Sequence, residues 1–360
     1  MSLSPRNCEI LAAAGSRKTE HIVEAALAVT NGRVLITTYT NENQNQIVRR
    51  IQQKVGTIPA HITVMGWFSF LIAHCIKPYQ RARFGDTFLV QGLNFKGKHH
   101  KYAKKSDRHY FLDSNSDLFK DGVSDLAVVL NEATEGAVIR RLEKICTHIF
   151  VDEVQDMAGY DLDMLDLLMK SQIAVTMVGD PRQHTFSTND SRKGKKHQGT
   201  GLLGWFKARA SVCVLHERTV SYRCNQTICD FADALYPDMP KTTSSDVEVT
   251  GHDGIFYVLE SRVSEYLGRF ERVTLLRHDK RAKTLGLAAM NFGVAKGSTF
   301  DRVLIFPTEP MLAYLKDRDP TKLKAPEKFY VAVTRARFSV AFVIKKPSVL
   351  GLPQDADLGW

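Results

Sequence analysis

The sequence predicts an α/β fold of two parallel-sheet domains in series, and three observations carry that reading. Short apolar or β-branched runs alternate with helical periodicity along most of the 360 residues. This is the pattern of a mostly parallel sheet with helices on both faces. An apolar run, I-F-V-D-E-V-Q-D-M at 149–157, ends in two adjacent carboxylates, as a buried parallel strand does when it delivers charge to its carboxyl end. A second alternating series begins near His216, and the chain is long enough for two cores.

The elements follow in order. Residues 8–13 form a short apolar strand and 18–28 carry helical periodicity. The run 34–38 is a β-branched strand, 41–55 an amphipathic helix, 62–64 the start of a strand and 68–76 helix-like. Residues 148–152 and 175–179 are buried strands, and 212–215 closes the first sheet. Residues 255–259, 273–276, 303–306 and 340–344 are strands of the second, with helices starting at Asn225, Glu309 and Pro326. Between about 78 and 123 the rhythm breaks into a segment rich in Gly, Lys, His and aromatic residues, read as a small basic insertion. The expected domains are 1–77 with 124–215, the accessory insertion 78–123, and 216–360.

Composition excludes several classes. Hydrophobic content is 44%, ordinary for a soluble globular chain. No apolar run approaches the ~20 residues that span a bilayer. Residues 1–7 lack the charged-then-apolar layout of a signal peptide. A cytoplasmic chain with no membrane partner is expected. The six cysteines (8, 75, 146, 213, 224, 229) form no C-x-x-C pair and no zinc-like spacing, which suits reduced thiols. The net charge of +10 is concentrated in two places: residues 77–109 hold nine Lys/Arg against Asp86 and Asp107, and 192–209 hold six with no acid. Such clustering suits a polyanion track, or else two solvated loops.

Two segments carry nucleotide chemistry. A-A-A-G-S-R-K-T at 12–19 follows the first strand and opens the first helix. Phosphate binding needs backbone N–H groups at a helix N-terminus, a Lys for the outer phosphates and a hydroxyl on Mg²⁺. Ala14, Gly15, Ser16, Arg17, Lys18 and Thr19 occupy the positions for these parts. Arg17 stands where the usual pattern has Gly. Either it points outward, or it adds a cation beside the nucleotide, or it impairs the loop. Downstream, of the pair Asp152 and Glu153, one carboxylate can hold a metal's water shell while its neighbour polarises the attacking water. Gln183, at the edge of the next strand, can sense a γ-phosphate by hydrogen bonding.

Further on stand V-G-D-P-R-Q-H-T-F at 178–186, S-Y-R-C-N at 221–225, F-G-V-A-K-G-S-T-F-D at 292–301 and F-Y-V-A-V-T-R-A-R at 329–337. With the loop and the D-E-V-Q-D box, in this order, the series resembles superfamily 1 helicases of the UvrD/PcrA/Rep type, over 12–337 apart from the insertion. The resemblance implies two RecA-like domains of the P-loop NTPase fold, with ATP and Mg²⁺ in their cleft and single-stranded nucleic acid across the top. It implies that Lys18 and Thr19 hold phosphates and Mg²⁺, that Asp152 organises the metal and that Glu153 is the general base. Gln183 matches the position coupling γ-phosphate to nucleic acid, and Tyr222 one that stacks on adenine. Arg223 and Arg335 match two arginines that reach the γ-phosphate from the second domain. In the late motif, Gly297 falls on the nucleotide side and Lys296 on the strand side.

T-T-Y-T-N at 37–41 resembles the family segment in which an aromatic and hydroxyls follow the second strand. Thr38, Tyr39 and Asn41 are therefore candidate strand contacts, Tyr39 by stacking on a base. G-W-F-S-F at 66–70 stands where the family has T-F-H-S. Phe68 is a candidate contact there, while Trp67 either stacks on a base or packs under the insertion. Phe186 replaces a customary Tyr, and Gly293 and Thr299 replace a His and a Glu. Only 73 residues separate Arg223 from Lys296, too few for the family's large accessory subdomain. A protein partner supplying that function is a candidate. The expectation is an ATP-dependent 3′–5′ translocase or helicase on single-stranded DNA, with RNA open. The alternatives are a nucleic-acid-stimulated NTPase switch in a repair or defence complex, without unwinding, and a nucleic-acid-binding module whose loop Arg17 has disabled.

Overall fold

The computed structural model describes residues 6–191 and 193–346. Residues 1–5, part of the stretch read for a signal peptide, lie outside the described residues, as do Arg192 of the second basic run and 347–360 at the end of the second expected domain. The chain divides into two compact units. One comprises Met1–Leu11, Lys18–Pro181 and Phe186–His216; the other comprises Ala12–Arg17, Arg182–Thr185 and Glu217–Trp360.

The sheet of the first unit has six strands: β1 (Asn7–Ala12), β2 (Val34–Thr38), β3 (Ile62–Gly66), β4 (His148–Asp152), β5 (Ala174–Gly179) and β6 (Cys213–Arg218). Their order is β3-β2-β4-β5-β1-β6, and β1, β2, β3, β4 and β5 pair in parallel. Its main helices are α1 (Lys18–Leu27), α2 (Asn41–Val55), α3 (Val123–Ala133), α4 (Ala137–Ile145) and α5 (Tyr160–Met169). Local chemistry sets the limits of α2. Thr40 Oγ1 accepts from Asn43 N at 3.1 Å, and Gly56, at φ +80°, donates its N–H back to Gln52 O. The helix-like stretch after β3 is α-helical over Trp67–Phe70 and widens to a π-helix over Leu71–Ile76.

Residues 78–123 are built into this unit. Phe88, Phe111, Leu112 and Leu118 are at most 1% exposed and share one core with Trp67, Phe70, Val123 and Leu126. Leu93–Asn94 pairs in parallel with Leu118–Phe119. Lys96, Lys98, Lys101 and Lys104 stay exposed. Aromatic residues anchor the segment and leave its charge on the surface.

In the second unit β7 (Gly254–Leu259), β8 (Val273–Arg277), β9 (Met290–Asn291), β10 (Phe300–Phe306) and β11 (Ala336–Ile344) form a parallel sheet in the order β7-β11-β10-β8-β9. Three helices begin where caps or prolines predict. They are α6 (Gln226–Asp233), whose cap Asn225 accepts from Ile228 N at 3.0 Å, and α7 (Glu309–Asp317) and α8 (Pro326–Val333), each with Pro in its first turn. Among the described residues, no helix is long and apolar enough to cross a membrane.

Candidate nucleotide and nucleic-acid site

The end of β4 and the start of α1 gather charge within the first unit. Apolar neighbours along β4 bury Asp152 to 1% exposure. Thr19 Oγ1 donates to Asp152 Oδ2 at 3.3 Å, and Lys18 Nζ lies 3.7 Å from Glu153 Oε1. Glu153 N donates to Asp152 Oδ1 at 3.0 Å. Gln155 links the box to the end of β5: its Nε2 donates to Glu153 Oε2, and its Oε1 accepts from Asp180 N at 3.1 Å. Gln155 stands in the D-E-V-Q-D box, but the sequence assigns it no role, because its partner Asp180 is far along the chain. Glu153 sits at φ +57°, a left-handed conformation costing about 1 kcal/mol for a residue with a Cβ.

Burial first, and then the neighbouring Glu153 charge, push the Asp152 carboxyl up to about 7. A divalent cation would offset both effects. The donor set fits Mg²⁺, which takes one or two protein oxygens and completes its shell with water and phosphate. Thr19 and Asp152 provide a hydroxyl and a carboxylate within hydrogen-bond distance of each other. No group of three or more His, Cys, Asp or Glu is gathered for a metal among the described residues.

A second constellation lies within the other unit. Gly15 has φ +78°, and a Cβ there would sit 2.6 Å from Ser221 Oγ and 2.7 Å from Arg223 Cβ. Only glycine fits. Tyr222 N donates to Gly15 O at 3.0 Å. Ala14 belongs to the second core, and Ser16 Oγ is buried with no hydrogen-bond partner among the described residues. Arg17 adopts φ +58°; its side chain is exposed and its guanidinium lies 4.1 Å from the centroid of the Tyr222 ring. Tyr222 is 44% exposed.

Arg223 Nη1 donates to Thr334 O at 3.0 Å. Arg335 is 2% exposed and donates to Val331 O at 3.1 Å, Ser298 O at 3.3 Å and Gln183 Oε1 at 3.0 Å. Two of these carbonyls lie in the last turn and cap of α8, where the helix dipole favours cations. Lys296 and Gly297, the latter at φ +87°, share the turn that carries Ser298.

The strand-side candidates divide by exposure. In the first unit Tyr39 packs edge-on against Phe68, with ring centroids 5.4 Å apart, and at a 36° tilt against Phe186, at 5.1 Å. Phe186 is 49% exposed, with Lys120 Nζ 6.0 Å from its centroid. Asn41 is exposed at the start of α2. Phe68 is buried and backs the row. Of the two readings open for Trp67 the structure selects packing, and the expected contact at Thr38 is corrected. Trp67 is 0% exposed and donates Nε1 to Asp161 Oδ1 at 2.6 Å, so it packs and offers no face to a base. Thr38 is also 0% exposed, which turns its hydroxyl inward. Phe95, 64% exposed and 6.4 Å from Phe68, extends the row. Its only signal in the sequence is an aromatic placed inside a basic segment.

Comparison with known proteins adds the family. The viral superfamily 1 RNA helicase core domain matches residues 114–344, and an AAA domain matches 1–188. No curated protein matches the chain. Among solved structures, arterivirus nonstructural protein 10 (helicase) is 17% identical, with 96% of this chain and 61% of that one covered and a TM-score of 0.47. The same helicase in complex with DNA gives 17%, 97%, 63% and 0.48, and the PRRSV helicase 15%, 95%, 53% and 0.45. The chain therefore spans between about half and two thirds of the length of these structures. With its two parallel sheets, phosphate loop and D-E box, the chain belongs to the family of viral superfamily 1 RNA helicase core domains.

Proposed function

We propose that the chain is an ATP-driven motor on single-stranded nucleic acid. The observation that carries this reading is the contact of Lys18 with Glu153 and of Thr19 with Asp152 where α1 begins and β4 ends. Bound Mg-ATP would supply a γ-phosphoryl group whose transfer to water is catalysed by positioning and electrostatics. Lys18 neutralises the outer phosphates, and Thr19 and Asp152 hold the metal. Glu153 takes the proton of the attacking water, with Gln155 fixing its carboxylate. Arg223 and Arg335 bring permanent, planar charge to the phosphates, and Gln183, bonded to Arg335, senses their engagement. Tyr222 carries the base. Tyr39, Phe186, Asn41 and Lys296 hold the strand, and residues 78–123 act as the accessory segment.

The finer reading is 3′–5′ movement on DNA, supported by the UvrD/PcrA/Rep-like motif series. A second reading, RNA as the strand, is favoured by the description of the family that matches 114–344. The test is ATP hydrolysis with and without single-stranded DNA or RNA, in wild type, Lys18→Ala and Glu153→Gln. Wild type should be stimulated by its strand, and loss of the general base should cost roughly 10²–10⁴ in rate. No stimulation, or full activity in both variants, would overturn the reading. Duplexes tailed at the 3′ or 5′ end then fix direction. Hydrolysis without unwinding on either tail would identify an NTPase switch that depends on a partner.

A further inference from the structure

We infer that Phe95, at the tip of a turn in the basic insertion, is a base-stacking residue that lengthens the strand-binding row by one aromatic; the inference rests on the nucleic-acid reading above. An aromatic ring left 64% exposed forgoes most of its burial free energy. Here the structure spends hydrogen bonds to keep it outward. Asn94 Oδ1 accepts from Lys96 N at 3.1 Å and Gly97 N at 2.6 Å, and Asn94 Nδ2 donates to Asp113 Oδ2 at 2.8 Å. The strand before the turn is tied by its pairing with Leu118–Phe119. The tip is thus held at its base and does not need ordering when a ligand arrives.

The ring also has a direction. Its centroid is 6.4 Å from Phe68, which lies 5.4 Å from Tyr39, which lies 5.1 Å from Phe186. Phe95 and Phe186 are therefore two exposed rings at the ends of one continuous aromatic row. Cations flank both: Lys96 and Lys98 follow Phe95, and Lys120 lies over Phe186. Bases on aromatic faces with phosphates on adjacent cations is the chemistry of single-strand binding, and every base has a face to offer. Phe95 confers grip and no sequence preference.

The experiment measures the affinity of labelled oligothymidylate and oligouridylate, and of an abasic strand of equal length. The proteins are wild type, Phe95→Ala, Phe95→Leu, Phe95→Trp and Phe186→Ala. Phe95→Ala and Phe95→Leu should weaken binding of base-bearing strands roughly five- to a hundredfold, Phe95→Trp should keep it, and abasic binding should not change. Equal affinities of wild type, Phe95→Ala and Phe95→Leu while Phe186→Ala weakens binding would overturn the role of Phe95. So would equal losses on base-bearing and abasic strands. Absence of strand binding by wild type would instead overturn the function proposed above.

Discussion

The first sheet builds two regions by opposite rules. Its inner strands deliver charge: β4 and β1 flank β5, and the cluster of Lys18, Thr19, Asp152 and Glu153 forms where β4 ends and α1 begins. The edge strand β3 and its neighbour β2 deliver rings, with Tyr39 just after β2 and Phe68 just after β3. The charged region is shielded, with Asp152 at 1% exposure and an elevated carboxyl pKa, because electrostatics gain strength where water is excluded. The aromatic region ends in rings that are 49% and 64% exposed, the open face that stacking on a base would need. Polar groups are useful where they are sealed, and apolar groups where they are not.

A double dissociation is the strongest way to break that comparison. Glu153→Gln should lose hydrolysis by roughly 10²–10⁴ while strand affinity stays within about twofold. Phe186→Ala should weaken strand binding roughly five- to a hundredfold while basal hydrolysis holds. If either variant damages both activities equally with its fold intact, the regions are not separable. The next effect concerns stability. Trp67→Phe removes an N–H from the buried Asp161 carboxylate, which also accepts from Ser124 Oγ and Thr188 Oγ1. A loss of about 1–3 kcal/mol is expected, read as a lower urea midpoint, with strand affinity unchanged.

A sealed ring in the second unit provides a pH test of the same rule. His252 is 4% exposed and stacks between Phe256 and Phe270 at 4.1 and 4.6 Å. Burial, followed by the charges of Arg302 and Arg269, holds its imidazole down to about 4. The unfolded chain binds the proton nearer 6.5. Stability from the neutral ring is therefore complete above about 6.5 and is lost as pH falls from there towards 4. At pH 5 the loss should be on the order of 2 kcal/mol relative to pH 7.5. His252→Phe should flatten that part of the profile in paired urea titrations; an unchanged slope would show that the ring is not sealed.

The contrast also explains what the sequence makes legible. β2, α2 and β4 occupy the residues that periodicity predicts, and α6, α7 and α8 start where the cap Asn225 and the prolines put them. β10 begins three residues before the apolar run at 303 because Arg302 interrupts the pattern. It is 8% exposed and bonded to Ser339 Oγ at 2.9 Å and Thr250 Oγ1 at 2.7 Å. Hydropathy cannot register a charge whose partners lie elsewhere in the chain. Lys18–Thr19 and Asp152–Glu153 are each legible as adjacent pairs because phosphate chemistry restricts residue types at short spacing, although 133 positions separate Thr19 from Asp152. The burial of Trp67 is not, since its partner Asp161 is 94 positions away. Nor is the exposure of Phe95, which depends on the bond of Asn94 to Asp113 and the pairing of Leu93–Asn94 with Leu118–Phe119.

Arg17 gives the smallest expected effect and the finest discrimination, because charge and ring meet there. Its φ of +58° costs about 1 kcal/mol that glycine would not incur. Its guanidinium over Tyr222 returns about 0.5–1 kcal/mol at an exposed site. These contributions nearly cancel, so Arg17→Gly should change stability by less than about 1 kcal/mol. Nucleotide affinity then separates the roles. If Arg17 steadies the ring that carries the base, Arg17→Gly and Tyr222→Ala should each weaken binding, and the double variant should weaken it no more than Tyr222→Ala alone. A sharp rise in affinity in Arg17→Gly would mean that the arginine obstructs the loop.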